Sequence, residues 1–235
     1  MRVDNRSADV LRPVRMERNY LKNADGSVFI ETGNTRVLCA ATVSEKVPDW
    51  MSDKGSGWVT AEYGMLPAST SERRNGSRAR RDSRSLEIQR LIGRCLRAVT
   101  DLKALGPRTV WIDCDVIDAD GGTRTASVTG SYVALRDALD KLVAKGKLNK
   151  TPLIDEVAAV SVGIVNGEAL LDLDYSEDSS AQVDMNVAMT GAGKFVEVQG
   201  TAEGMPFSYT EFNEMIEIAR RGIEELLLFQ RKCLE

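Results

Sequence analysis

The pattern of apolar and polar positions is first clear at residues 26–43. There GSVFIE and TRVLCAATV are β-branched, partly alternating runs joined through Thr32, Gly33 and Asn34, which predicts a hairpin. Residues 55–66 predict another strand with a glycine-rich entrance. Residues 69–83 contain no apolar side chain larger than alanine and predict a loop. Leu86, Ile88, Leu91, Ile92, Cys95, Leu96, Val99 and Leu102 then recur at helical spacing, so residues 85–102 predict an amphipathic helix with Arg84 at its start. Residues 109–117 predict a strand, and ADGGTRTAS turns the chain into a second helix reaching about residue 145.

A Lys/Gly/Asn-rich linker over residues 145–152 leads to a second half of similar build. It comprises a hairpin (157–165 and 169–173 around Asn166-Gly167) and strands near 183–189 and 195–198 joined by GAGK. Ser208 with Glu211 forms a capping-box pattern, and Phe212, Met215, Ile216, Ala219, Ile223, Leu226 and Leu227 mark a final helix. Hairpins followed by a helix occur in both halves, with no repeat visible in the residues themselves.

Composition narrows the chemistry. The 235 residues are 43% apolar and 28% charged, enough for one large domain or two small ones with a core. Histidine is absent, which removes Ser-His-Asp and Cys-His nucleophile systems, histidine zinc sites and the commonest neutral-pH base. Catalysis must use carboxylates, arginines, hydroxyls, metals or a reactive substrate. Cys39, Cys95, Cys114 and Cys233 are far apart with no CxxC pair, and read as reduced core residues. No apolar run reaches the ~18 residues of a membrane span, and no apolar segment follows the charged N-terminus, so a cytoplasmic protein is expected.

Charge is unevenly distributed. Residues 73–97 hold nine arginines, no lysine and two acids, a net +7, while the whole chain is −4, leaving −11 elsewhere. Such a run can be a solvated face, but with so few counter-charges it points to a polyanion.

Two helix starts share one chemistry, because a helix N-terminus offers unpaired N–H groups to an anion. Arg84 sits at one with Ser83 and Ser85. Gly121, Gly122, Thr123, Arg124, Thr125 and Ser127 build the other, where two glycines allow close backbone approach; a plain capped turn is the alternative. GAGK fits a hairpin turn better than a P-loop. Carboxylates gather at Asp113, Asp115, Asp118 and Asp120, and again at Asp172, Asp174, Glu177, Asp178 and Asp184. Asp184 lies within an apolar run, where burial calls for an ion pair or a metal, and it stands apart from the more exposed acids near Glu177.

The blocks MRVDNR, LRP, GSVFIETGNTRVLC, GWVTAEYGMLP, EIQRLIGRCLRAV, DCDVIDADGGTRTAS and LDLDYSEDSSAQVDMNVAMTG…FVEVQGTAEG, in this order, closely resemble the ribonuclease PH family of phosphorolytic 3′→5′ exoribonucleases over nearly the whole chain. Polynucleotide phosphorylase and exosome ring subunits share that fold with less closely matching motifs. The resemblance implies an α+β ribonuclease PH fold: one domain over residues 1–235, with mixed sheets in two βαβ-like halves (roughly 1–145 and 152–235) packed with helices.

It further implies that Arg84, Gly122, Thr123, Arg124, Thr125 and Ser127 bind the attacking inorganic phosphate. Asp178 and Asp184 would be the catalytic and metal carboxylates for Mg²⁺ or Mn²⁺, with Arg84 and Arg124 sharing in catalysis. Arg73, Arg74, Arg78, Arg80 and Arg81 would contact RNA. The implied activity is trimming of tRNA precursor 3′ ends with release of nucleoside 5′-diphosphates, in a homohexamer built as a trimer of dimers. A catalytically silent, RNA-binding ring subunit is the alternative. Departures from the family pattern are Ala68 for the arginine of MLPRAT, Ser83 for the glycine of GRT, which adds a Cβ beside Arg84, and a shorter arginine loop.

Overall fold

The computed structural model describes residues 2–73 and 83–235. Strands β1 (Val14–Arg18), β2 (Gly26–Thr32), β3 (Thr35–Ser44), β4 (Trp58–Met65) and β5 (Thr109–Asp118) form one sheet in the order β1-β2-β3-β5-β4. All its pairs are antiparallel except β4 with β5, which are joined through α1 (Ser83–Ala98) and α2 (Leu102–Leu105) in a βαβ crossover. The second sheet, β6 (Val157–Val165), β7 (Glu168–Leu171), β8 (Val183–Thr190) and β9 (Phe195–Ala202), runs β7-β6-β8-β9 and is antiparallel throughout. The mixed sheet is therefore confined to the first half.

Helix α3 (Thr123–Ala144) lies between the sheets, against β2 and β3 on one side and β6 on the other. Its small residues permit this: a Cβ on Gly130 would come within 2.9 Å of Cys39 Sγ and of Ile30. Gly26 of β2 passes so close to the helix that a Cβ would meet the Ala134 carbonyl oxygen at 2.0 Å. Helix α5 (Tyr209–Leu234) covers the far side of the second sheet, so every residue of β6 is buried. The predicted capping box holds, with Ser208 accepting from the Glu211 N–H and Glu211 accepting from the Ser208 N–H.

Three local expectations change. The β1 strand, VRMER, was not anticipated, because an edge strand that buries only part of one face carries a weak apolar signal. The first helix ends at Ala98 rather than 102. Asp101 caps α2 by accepting from the Lys103 and Ala104 N–H groups, its own N–H is taken by the Pro152 carbonyl, and the helix restarts. Asp172 and Glu177 are buried rather than exposed. The Arg12 guanidinium donates to both carboxylate oxygens of Asp172 at 2.7 and 3.0 Å, and Arg2 grips Glu177 at 2.7 and 2.8 Å. Ser83 opens α1 outside the left-handed region, so its Cβ brings no backbone strain. Cys39, Cys95 and Cys114 are buried free thiols and Cys233 is half-buried; burial pushes Cys95 up to about 12, fitting the inert core role expected.

Candidate active-site cavity

A cavity of about 760 Å³ opens where the two halves meet. Its walls come from the end of β4 and the following segment (Met65, Thr70, Ser71, Glu72, Arg73), the first turn of α1 (Arg84) and the entry to α3 (Gly121–Arg124). The second half supplies Ser161 of β6, Asp184 and Asn186 of β8, and the four-residue helix α4 (Tyr175–Asp178). In-register pairing sets the floor: Ser161 faces Asn186 and Gly163 faces Asp184, while Gln199 and Thr201 of β9 stand opposite Asn186 and Asp184.

The entry to α3 is shaped for an anion. Gly121 and Gly122 both have positive φ (72° and 64°), a conformation that glycine adopts freely. A Cβ on Gly121 would meet the Leu173 carbonyl oxygen at 2.4 Å, and one on Gly122 would meet Arg12 Nη2 at 2.9 Å. Gly122 is the N-cap and brings no side-chain cap, so the first-turn N–H groups keep no side-chain acceptor beside the cavity. The turn is pinned from behind: Arg12 donates to the Asp120 carbonyl, and Thr35 Oγ1 donates to the Gly121 carbonyl at 2.6 Å.

Of the residues expected at the site, Arg73, Arg84, Gly122, Thr123, Arg124, Asp178 and Asp184 line one cavity. Thr125 and Ser127 do not. Thr125 Oγ1 donates to the Gly122 carbonyl at 2.9 Å, and the fully buried Ser127 hydroxyl donates to the Thr123 carbonyl at 2.8 Å. Both hydroxyls are folded back onto the helix, so the expectation that they bind phosphate is corrected for these two side chains. Asp113 and Asp115 point to the face of β5 away from α3, outside the cavity. Arg74, Arg78, Arg80 and Arg81, expected to contact RNA, lie outside the described residues.

The two carboxylates are half-buried in the cavity wall. Burial pushes Asp184 up to about 6, and the Asp178 charge adds to this while Arg124 and Arg84 oppose it. Asp178 is raised as well, mainly by burial, against the pull of Arg84, Arg124 and Arg12. Two partly desolvated acids, the charge of Asp178 raising Asp184, beside two arginines suit a site that receives both a cation and phosphate groups. Among the described residues no group of three or more acids or thiols is placed to hold a metal.

The sequence profile described as "3′ exoribonuclease family, domain 1" matches residues 10–139, and that described as "3′ exoribonuclease family, domain 2" matches residues 146–222. The chain belongs to the 3′ exoribonuclease family. Three solved structures share the fold. Rice (Oryza sativa) Rrp46 is 19% identical with a TM-score of 0.81 over 100% of both chains. The Archaeoglobus fulgidus exosome, solved with RNA bound to its active site, is 21% identical with a TM-score of 0.82 over 97% of this chain and 91% of its own. An archaeal exosome core is 21% identical with a TM-score of 0.79 over 100% of this chain and 91% of its own.

In this 3′ exoribonuclease-family chain the cavity has supporting residues that its own stretch of sequence did not reveal. Arg124 Nη1 donates to Gln199 Oε1 at 2.8 Å and to Glu87 Oε1 at 3.3 Å, and Gln199 Nε2 donates to the same Glu87 oxygen at 3.0 Å. This triangle ties α1, α3 and β9 together around the guanidinium. Tyr63 of β4 places its hydroxyl 2.9 Å from Thr123 Oγ1 in a buried contact. Burial raises the Tyr63 phenol and keeps it protonated, so either hydroxyl of the pair can donate and the contact fixes where the Thr123 hydroxyl sits beside the cavity. Among the described residues no helix is long and apolar enough to cross a membrane.

Proposed function

We propose that this protein is a phosphorolytic 3′→5′ exoribonuclease, with tRNA precursors as substrate. The observation that carries this reading is the meeting of Arg84, Arg124 and the open α3 N-terminus with Asp178 and Asp184 in one cavity. Phosphate is already an anionic nucleophile near neutral pH, so a chain without histidine needs no strong base to activate it. The work left is to place two anions in line and neutralise the charge between them.

Inorganic phosphate sits against the Gly122–Arg124 N–H groups, the Thr123 hydroxyl and the Arg84 and Arg124 guanidinia. One of its oxygens attacks the phosphorus of the 3′-terminal phosphodiester. The P–O3′ bond breaks, a nucleoside 5′-diphosphate leaves, and the shortened RNA takes a proton on its 3′-oxygen. With no cation bound to it, the Asp184 carboxyl, raised by burial, is the group assigned to give that proton. Asp178 and Asp184 are the residues that would hold Mg²⁺ or Mn²⁺; a divalent ion supplies charge neutralisation at the phosphates, and two carboxylates completed by water and substrate oxygens suffice for it. A phosphoanhydride replaces a phosphodiester, so the reaction runs in reverse when diphosphates are abundant. Arg73, Arg74, Arg78, Arg80 and Arg81 guide the RNA, and the assembly is a homohexamer arranged as a trimer of dimers.

The exosome subunits that share the fold support a second reading, a silent RNA-binding ring subunit. One experiment separates the two: a short 3′-OH RNA incubated with the protein and Mg²⁺, with and without inorganic phosphate, followed by chromatography of the products. Phosphate-dependent release of nucleoside 5′-diphosphates is expected. RNA binding with no product favours the silent subunit, and phosphate-independent monophosphates indicate a hydrolase.

The Tyr63 contact gives a graded prediction. Tyr63→Phe removes one hydroxyl and is expected to raise the KM for phosphate roughly 3- to 10-fold, the scale of one net hydrogen bond, with the KM for RNA unchanged. Equal phosphate KM values in variant and wild type would show that Tyr63 only fills space.

A further inference from the structure

Among the described residues lining the cavity, Tyr175 is the one aromatic ring. The residue is 63% exposed and, among the described residues, no group receives its hydroxyl, although the backbone beneath it is firmly tied. The Tyr175 N–H donates to Asp120 Oδ1 at 3.2 Å, and α4 is closed by a reciprocal capping box between Asp174 and Glu177. Glu177 is itself buried against the Arg2 guanidinium. A rigid four-residue helix thus holds a large flat ring in solvent at the cavity wall, where the fold gains little from it.

Tyr175 and Asp178 are three residues apart on one helical turn, so the ring flanks the Asp178 carboxylate. We propose that Tyr175 is the stacking surface for the base of the RNA's 3′-terminal nucleotide. This rests on the phosphorolytic reading, which puts the scissile phosphodiester between the carboxylates and the arginines. The base of the departing nucleotide then lies one sugar away, on the Tyr175 side. Every base has a π-face, so stacking accepts all four, as an enzyme working stepwise through mixed sequence requires. The helix that carries the ring is already tied down, so binding costs no ordering of the backbone beneath it.

The test measures phosphorolysis by wild type, Tyr175→Leu and Tyr175→Phe at saturating phosphate, on a short RNA and on the same RNA with an abasic 3′-terminal nucleotide. Fluorescence anisotropy gives the affinity for both RNAs independently of turnover, and calorimetry gives the affinity for inorganic phosphate. Tyr175→Leu is expected to raise the RNA KM and Kd about 10-fold or more, with phosphate affinity and melting temperature unchanged, whereas Tyr175→Phe stays near wild type. On abasic RNA the wild type should fall to the level of Tyr175→Leu. Unchanged RNA affinity in Tyr175→Leu, or a difference that persists on abasic RNA, overturns the proposal. A change confined to oligomeric state would instead make Tyr175 a subunit contact and also overturn it. A wild type that binds RNA but neither binds phosphate nor turns over fails the phosphorolytic reading alone, because anisotropy still reads the stacking.

Discussion

Asp184→Asn is expected to lower phosphorolysis by about 10²- to 10⁴-fold, the usual contribution of a positioned proton donor, while leaving RNA binding largely intact. The carboxyl is assigned one of two alternative tasks, ligating a divalent ion as the carboxylate or protonating the leaving 3′-oxygen as the acid, and the amide can replace it in neither. The same substitution should act on stability with the opposite sign. The folded carboxyl is raised from 3.8 to about 6, so its ionised form is disfavoured in the folded chain. In metal-free protein, stability is therefore gained as pH falls from about 6 towards 4, and the destabilisation is fully present above about 6. At pH 8 with chelator, Asp184→Asn should thus melt higher than wild type, by an amount on the order of 1–2 kcal/mol once the openness of the cavity is allowed for. Adding Mg²⁺ should raise the melting temperature of wild type and leave the variant nearly unmoved. Retention of a tenth of wild-type phosphorolysis would take Asp184 out of the mechanism. A variant that melts lower than wild type in chelator would refute the desolvation argument.

What the sequence discloses about this site follows from how local each signal is. The α3 entry was legible because Gly121, Gly122, Thr123 and Arg124 are contiguous, although a plain capped turn would read the same way in sequence. Asp184 was legible because a carboxylate between Val183 and Met185 contradicts its surroundings. Glu87, Gln199 and Tyr63 were not, since their partners lie 37, 75 and 60 residues away and are chosen by how α1, β9 and β4 pack. Thr125 and Ser127 were misjudged for the reverse reason: hydroxyls early in a helix can bond back to the preceding turn, and only the structure shows which way each one turns. The sheets follow the same rule. Hairpins with Gly or Asn-Gly turns could be read, while β1 and the break between α1 and α2 depend on distant partners, such as Pro152 for Asp101.

The acids around Glu177 show the strongest dependence on distant residues, and they carry the largest expected stability effect. Asp172 has a positive φ of 54°, a conformation unfavourable for a residue with a Cβ, and it is almost wholly buried. It is held there by Arg12, which donates through its backbone N–H, Nε and Nη2 to the same carboxylate. The N-terminal segment thus neutralises Asp172 with Arg12 and Glu177 with Arg2, leaving Asp178 of the same stretch to face the cavity. Asp172→Ala strands a buried guanidinium and is expected to cost about 3–5 kcal/mol, read as a fall in the urea midpoint. Arg12→Met with Asp172→Leu removes both charges of the pair, leaves Arg6 to Asp4 and Glu177, and should recover part of that loss. Their effects on the site should then diverge from their effects on stability. The double variant still lacks the Arg12 donor that holds the Asp120 carbonyl, so the Gly121–Gly122 turn loosens and phosphate binding weakens even in a well-folded protein. A double variant with wild-type phosphate affinity would show that the turn is set by Thr35 and its glycines alone. An Asp172→Ala variant as stable as wild type would show that water reaches Arg12 and that the pair is not buried in solution.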